Sequence, residues 1–595
     1  TTAIMGGAAS SRRRVPQKAR PLSECDTELL HHILASCEAE SCVYAKRIQE
    51  AANFECDFPA PLCPLSSREE GFANSKGPSP NSVLDVRGKG DSRRATRCDR
   101  LLGWLQHHGA QLTNVGLRAC GEAGFSVFCH KTIERSRPIL KVPLSCLITD
   151  TMAANTRTGR KLYELRYSIA AIAHCQLSVF LLEDIERGPK SPFYSYYQSL
   201  PQSLPQHSLF WTEEDKAFLQ GTCFVDDVQS FELMVRTDYN TITSKIPAFD
   251  RFGFDMFLWS RIIVSSRNFS IRINHVDHIA MVPLADMMNH HEPRRTAWEY
   301  RDEDEGFVVT ALDSFATGTE ITNSYGQKGA SQLLLHYGFI PRNFGNNRVE
   351  MIENQITVHL SSRYRRLDSS ACGTKIGTGL AKGIPRPIDG LVHAFTASGR
   401  PVRSIRSPGN MWLKKRLLGD VHVFRLRVNY AHRETASCLR YVSILAAEHK
   451  SQVQHIKRLE RAQTSSPHAQ IFYDLDHILE SCSILTDLAR HRCERLSLHA
   501  RPLSSITNYN KLNAWRIAQI ERAVARFFEA LGEVFYLVYN IHEEMLPRLL
   551  AELQKRQDIM SQWVHHLCQQ CFTLRDKLPG CPSDIGSRDG GCFVG

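Results

Sequence analysis

The sequence predicts an α+β protein in which small β-sheets are split by a helical insertion and followed by an all-α domain. Three observations predict it. Short β-branched and aromatic runs broken by Gly and Pro fill residues 98–150, give way to three- and four-residue apolar spacing over about 151–266, and return before 350. A long apolar stripe, Ile517, Ile520, Val524, Phe527, Leu531, Val534 and Phe535, marks a helical region near the C-terminus. Finally, the stretch from Met281 to Phe339 places an unusual set of polar and aromatic groups at segment ends.

Residues 1–97 read as a low-complexity extension with one short helix, Thr27 to Ala52, and a linker poor in large apolar residues after it. From Cys98, CDRLLGWLQHHGA forms a helix stopped by Gly109. VGLRAC, GFSVFCHKTI and RPILKVPLSCLIT follow as strands, with Gly124-Phe125-Ser126 joining two of them; a glycine there permits close approach of backbone to a ligand, as it also permits a plain turn. In the insertion, Leu162, Leu165, Ile169 and Ile172 share one helical face, and Phe254, Phe257, Leu258 and Ile262 another. AWEYRDEDEGFVVTAL is a hairpin whose acidic turn is solvated, and SQLLLHYGF a short helix ending at Gly338. Residues 351–430 read as a linker with a basic insertion, 431–578 as a helical domain, and 579–595 as a disordered tail.

The net charge of +11 is partly local: Thr374 to Asp420 holds nine Lys or Arg against two Asp or Glu. Those cations are not interleaved with stacking aromatics, which argues against nucleic acid. Nineteen scattered cysteines favour a reducing compartment. Cys568 and Cys571, followed by Cys581 and Cys592, fit no standard zinc spacing and read as free thiols, so no metal is expected. No apolar run approaches the roughly 18 residues that span a bilayer. Arg12-Arg13-Arg14 amid Ala and Ser leaves an organellar address open beside cytoplasm and nucleus.

The usual signatures for phosphate loops, dinucleotide folds, zinc proteases and serine hydrolases are missing from the positions where they would act. What remains are Arg267, Asn289, His290, Tyr325 and Tyr337. Singly, each reads most simply as structural: a satisfied core histidine, or tyrosines bonded to backbone. Together, Ala-Asp-Met-Met-Asn-His (285–290), Gly-Thr-Glu-Ile-Thr-Asn-Ser-Tyr-Gly (318–326) and Leu-Leu-Leu-His-Tyr-Gly-Phe (333–339) resemble, in order and spacing, the SET-domain methyltransferases. The nearest subgroup is that of the Rubisco large-subunit lysine and actin histidine methyltransferases. The resemblance covers about 98–350 and extends to the split by a helical insertion and the helical domain that follows, which in that subgroup binds substrate.

The resemblance implies a fold with a pseudoknot and S-adenosyl-L-methionine as methyl donor. It implies that Asn289 and His290 hold the adenine through backbone groups, that Arg267 pairs with the cofactor carboxylate, and that Gly124, Phe125 and Phe339 line the cofactor. Tyr325 would be the catalytic tyrosine, with Tyr337 and Asp286 along the substrate channel. The implied activity is methyl transfer to lysine in a non-histone protein substrate by a monomer; histidine methylation, or an inactive scaffold that binds a partner, are the alternatives. Two positions depart from the family pattern. Ser126 stands where a second glycine is usual, and Ala330 where asparagine is.

Overall fold

The computed structural model describes residues 24–53, 90–119, 125–166, 168–169, 171–341, 344–345, 348–361, 421–446 and 475–575. Gly124, the basic stretch 374–420, the side chains of Cys571, Cys581 and Cys592, and the tail from 579 lie outside the described residues.

Helix α1 (Glu24–Asn53) falls within the stretch read as an extension, yet it is built into the C-terminal helices. Its inner face buries Leu30, Ile33, Cys37, Tyr44 and Ile48. Ser41 donates to Asp558 at 3.1 Å and accepts from the Met560 amide at 2.9 Å, and the Tyr44 ring lies 5.3 Å from Phe527. The helix does show a period of three to four, but the polar linker after it hid the distant surface it covers.

Helix α2 (Gly90–His107) ends at Gly109, whose φ of 89° no β-carbon would favour. Strands β1 (Gln111–Leu112), β2 (Val115–Ala119), β3 (Phe125–Cys129), β4 (Pro138–Pro143) and β5 (Ile148–Thr149) follow. The insertion contributes α3 (Ile172–Glu186), α4 (Phe224–Lys245) and α5 (Gly253–Arg267). Every residue of α5 from Phe257 to Val264 is buried, because α3, α4, the 3-10 turn Pro247–Phe252 and the helix at Ala330–Tyr337 pack around it.

Strands β6 (Asn268–Ile273), β7 (Val276–Met281), β8 (Thr296–Arg301) and β9 (Gly306–Ala311) complete the β-rich part that the insertion splits. Three sheets result: β2-β3, β5-β7-β6 and β1-β4-β9-β8, all antiparallel. The acidic turn lies at 302–305 as expected, with Asp304 paired to Lys141 at 2.8 Å. Helix α6 (Ala330–Tyr337) then stops at Gly338, φ 81°; a β-carbon there would sit 3.2 Å from His207.

The region read as a linker holds strands at both ends. β10 (Gln355–Ser361) and β11 (Val421–Arg427) pair antiparallel along their full lengths. The reading missed them because their partner lies some sixty residues away, beyond the reach of hairpin signals. Helices α7 (Arg433–Ala446), α8 (Leu475–Leu498), α9 (Tyr509–Tyr539), α10 (Leu546–Gln554) and α11 (Ile559–Arg575) form the helical region, with the predicted stripe buried on α9.

A buried carboxylate joins this region to the insertion. Glu521 of α9 accepts from the Cys223 and Phe224 amides at the start of α4, at 2.7 and 3.1 Å, and from Arg492 of α8 at 3.3 Å. A negative charge at a helix N-terminus is favourable, and here it fixes α4 relative to the tail. Burial nevertheless pushes the Glu521 pKa up, against the pull of Arg492.

Candidate active site

The centre is a crossing of three segments. Ile321 and Cys129 exchange backbone bonds across β3, Ile321 N–H to Val127 O at 2.8 Å and Cys129 N–H to Thr319 O at 2.9 Å. On its other side the same segment meets 289–291: Asn323 N–H donates to Asn289 O and His291 N–H to Asn323 O, both at 2.9 Å. In this parallel bridge the middle residue faces away from its partner. The N–H and C=O of His290 therefore have no partner among the described residues. A donor beside an acceptor on one exposed backbone edge fits a heterocycle such as adenine.

The His290 ring faces inward. Its Nδ1 accepts from the Tyr325 amide at 3.0 Å, and its centroid lies 5.2 Å from Tyr325 and 6.2 Å from Phe339. Tyr325 stacks on Tyr337 at 4.7 Å and meets Phe339 edge-on at 6.2 Å. Gly338 makes this possible: its left-handed turn brings Phe339 back toward the cluster after the helix has delivered Tyr337. The Tyr325 hydroxyl donates to the Met288 carbonyl at 2.8 Å. Burial holds its pKa above the ordinary tyrosine range despite the opposing charge of Arg267. The raised pKa favours the neutral hydroxyl, which donates a hydrogen bond.

Arg267, at the end of α5, donates from Nη1 to the Asp286 carbonyl at 3.0 Å and to its Oδ2 at 3.3 Å. These are its only hydrogen bonds among the described residues, so Nε and Nη2 are left for a further acceptor. The Asp286 side chain is 0% exposed and also accepts from Tyr196 Oη at 2.7 Å. The enclosed carboxylate, expected along the substrate channel, is engaged with Arg267 and Tyr196. Burial raises the Asp286 pKa, with Arg267 opposing. Leu284, just upstream, has φ 75°, a strained value for a branched residue, at the turn that presents Asp286.

The two departures are both absorbed. The Ser126 hydroxyl, 1% exposed, accepts from Asn289 Nδ2 at 2.8 Å, and the same amide donates to Glu320 at 2.7 Å. Ser126 thus ties β3 to the Asn289 segment instead of leaving a gap. Ala330 is fully buried, and its amide donates to Asn354 Oδ1 at 3.3 Å, so a carboxamide reaches this position from another part of the chain. Phe125 is half-buried at the start of β3.

Beside Tyr337 opens a cleft of about 340 Å³ between α3, α4, α5 and α6. None of its insertion residues, Arg261 foremost, was singled out by sequence reasoning. The signal was there: Arg261 interrupts FLWSRIIV, where every neighbour is buried.

Residues 124–326 match the SET domain family model. The ribosomal lysine N-methyltransferase set10 of Schizosaccharomyces pombe is 29% identical over 191 residues, 31% of this chain and 34% of that protein. The actin-histidine N-methyltransferase of Gallus gallus is 27% identical over 286 residues, 46% of this chain and 47% of that protein. The matched region thus spans between a third and half of these relatives' length. A crystal structure of the SET domain of LSMT bound to lysine and AdoHcy superposes with a TM-score of 0.55 at 19% identity, covering 78% of this chain and 96% of that one. Rubisco LSMT bound to AdoMet gives 0.53, with 78% and 97% covered. The crossing of β3, 289–291 and 319–323, with an aromatic cluster at its end and a helical insertion in its middle, has the SET domain fold.

Proposed function

We propose that this chain is an S-adenosyl-L-methionine-dependent protein methyltransferase that acts on a lysine side chain of a non-histone protein. The observation that carries the proposal is the free backbone edge of His290 set beside the Tyr325–Tyr337 stack. The His290 N–H and C=O would hold the adenine, and the open edge of Arg267 the amino-acid carboxylate, for which a guanidinium fork is well shaped. When bound, the cofactor supplies a methyl group on a sulfonium sulfur.

The chain's own residues would prepare the acceptor. A free lysine, pKa about 10.4, is neutral in roughly one molecule in 2,500 at pH 7. Enclosure by Tyr325, Tyr337 and Phe339 strips water from the ammonium and lowers that pKa. Lys328 shows the same physics locally: it donates to the Tyr325 carbonyl, and burial depresses its pKa. Tyr325, held by the Met288 carbonyl, would position the amine, and alignment alone can supply much of the rate.

Lysine is favoured over histidine because the ring cluster offers aromatic faces and backbone oxygens, which suit an amine; the relatives include both a lysine and a histidine methyltransferase. The test is transfer of labelled methyl groups to a proteome extract, followed by amino-acid analysis. Label in methyl-lysine is expected. Label confined to methyl-histidine overturns the choice of residue, and no label overturns the activity.

A further inference from the structure

We infer that the cleft beside Tyr337 receives the carboxylate of an aspartate or glutamate in the substrate protein, close in space to the residue that is methylated. The inference rests on the methyltransferase reading and adds a specificity determinant to it.

The cleft is lined by Arg261 and Ser265 of α5, His174 of α3, Asn268, and His336 and Tyr337 of α6, among others. Arg261 is 3% exposed, and its Nε and Nη1 are buried without a hydrogen-bond partner. A guanidinium with two unmet donors is rare in a folded interior, where such groups are almost always satisfied. Its one ionic neighbour, Asp238, lies 3.6 Å from Nη2, beyond good hydrogen-bond distance, and also accepts from Cys175. Arg261 thus lines the cleft with two donors for which the described residues provide no acceptor.

The surrounding groups select the sign of that acceptor. The Tyr337 hydroxyl makes no hydrogen bond among the described residues, and neither imidazole ring does. Lys328 lies 5.9 Å from the Tyr337 ring on its other side. Positive charge is felt throughout: His174 is pushed down to about 4 by burial and by Arg261, and His336 is lowered by burial, Lys328 and Arg425. Among the described residues no carboxylate lines the cleft itself, and Asp238 is the acidic group beside Arg261. A planar carboxylate satisfies a guanidinium fork; a neutral amide would leave charge unmatched, and a cation would be repelled.

The position selects the source. Tyr337 forms a wall of the cleft and is also stacked on Tyr325 at 4.7 Å. The cleft and the acceptor site are separated by the thickness of one aromatic pair, so a carboxylate in the cleft and an amine at Tyr325 can belong to one polypeptide.

The test uses peptide pools randomised around a central lysine, each with one flanking position fixed as Asp, Glu, Asn, Gln or Lys, and reads labelled methyl incorporation by the full chain. Wild type is expected to favour Asp or Glu over Asn or Gln at one position by about tenfold or more, as a charged hydrogen bond to a buried partner requires. Arg261→Gln combined with Asp238→Asn, which removes both charges together, is expected to bring that ratio below about twofold. Asp238→Asn alone, which leaves Arg261 unopposed, is expected to raise it. Label in all pools with no acidic preference in wild type overturns the inference while leaving the methyltransferase reading intact; a preference that survives loss of Arg261 does the same. Should either variant fail to fold, the wild-type ratio and the other variant decide. No label in any pool, with histidine-centred pools run in parallel, overturns the activity and this inference with it.

Discussion

The two walls of the site are built from different materials. The wall formed by β3, 289–291 and 319–323 is crossed by main-chain hydrogen bonds, with Asn289 adding side-chain ties to Ser126 and Glu320, and it exposes the main-chain edge of His290. The wall formed by the insertion and α6 is made of side chains, with Arg261 buried and His174 and His336 half-buried around the cleft. Backbone geometry depends on a few residue types at fixed spacing, whereas a side-chain wall can be rebuilt by any substitution that packs. A common reaction with a variable substrate is what such a division suits.

The comparison can be broken at its strongest point first. Tyr325→Phe removes the hydroxyl bonded to Met288 and touches both walls. Methyl transfer should fall about a hundredfold or more, with cofactor affinity changed less than about threefold, a split between kcat and binding typical of a group that acts at the reacting atoms. Undiminished transfer would move the catalytic role elsewhere. Next, Asp286→Asn strikes the link between the walls, since Asp286, just before 289–291, holds both Arg267 and Tyr196 of the insertion side. Removing one charge of this enclosed pair should cost about 2–3 kcal/mol, below the full range for a dry pair because Arg267 keeps some solvent contact. Urea unfolding reads the loss, and cofactor affinity should weaken with it.

Acid should act mainly on the insertion wall. His174 is pushed down to about 4 and His207 to about 3, both chiefly by burial. Between these values and about 6.5 the unfolded chain holds more protons than the folded one, so stability rises with pH across the window and is lost as pH falls from 6.5 toward 4. The effect should be on the order of a few kcal/mol in total, reduced by the raised carboxyls Asp286 and Glu521, which act in the opposite sense. Urea midpoints at pH 7 and pH 5 measure it, and His174→Gln should flatten the slope; an unchanged slope would show that His174 is not held neutral. The smallest effect belongs to the backbone wall. Ser126→Gly restores the usual glycine but loses the bond to Asn289 and adds chain freedom in a strand, for about 1–2 kcal/mol. A gain in stability would mean that Ser126 is a defect, not a tie.

The same division decides how much was legible. His290, Tyr325, Tyr337 and Phe339, grouped at first through the family resemblance, pack in one ring cluster, and segment ends and turns such as Gly338 carry local signals that mark them. Arg261 was invisible because it sits on a helix buried all round, where periodicity marks only core. The engagement of Asp286 with Tyr196 was hidden because the two are ninety residues apart. The β10–β11 pair and the docking of α1 escaped for the same reason: they are long-range contacts, and neither strand nor helix announces its partner.

The central claim is that the crossing holds S-adenosyl-L-methionine through the His290 edge and Arg267. Calorimetric titration of the full chain with S-adenosyl-L-methionine tests it most directly, with Arg267→Ala alongside. The account predicts one saturable site per chain, weakened about tenfold or more in the variant, the loss typical of a charged hydrogen-bond partner. Absence of binding heat in wild type across several temperatures, or equal affinity in both proteins, would contradict it.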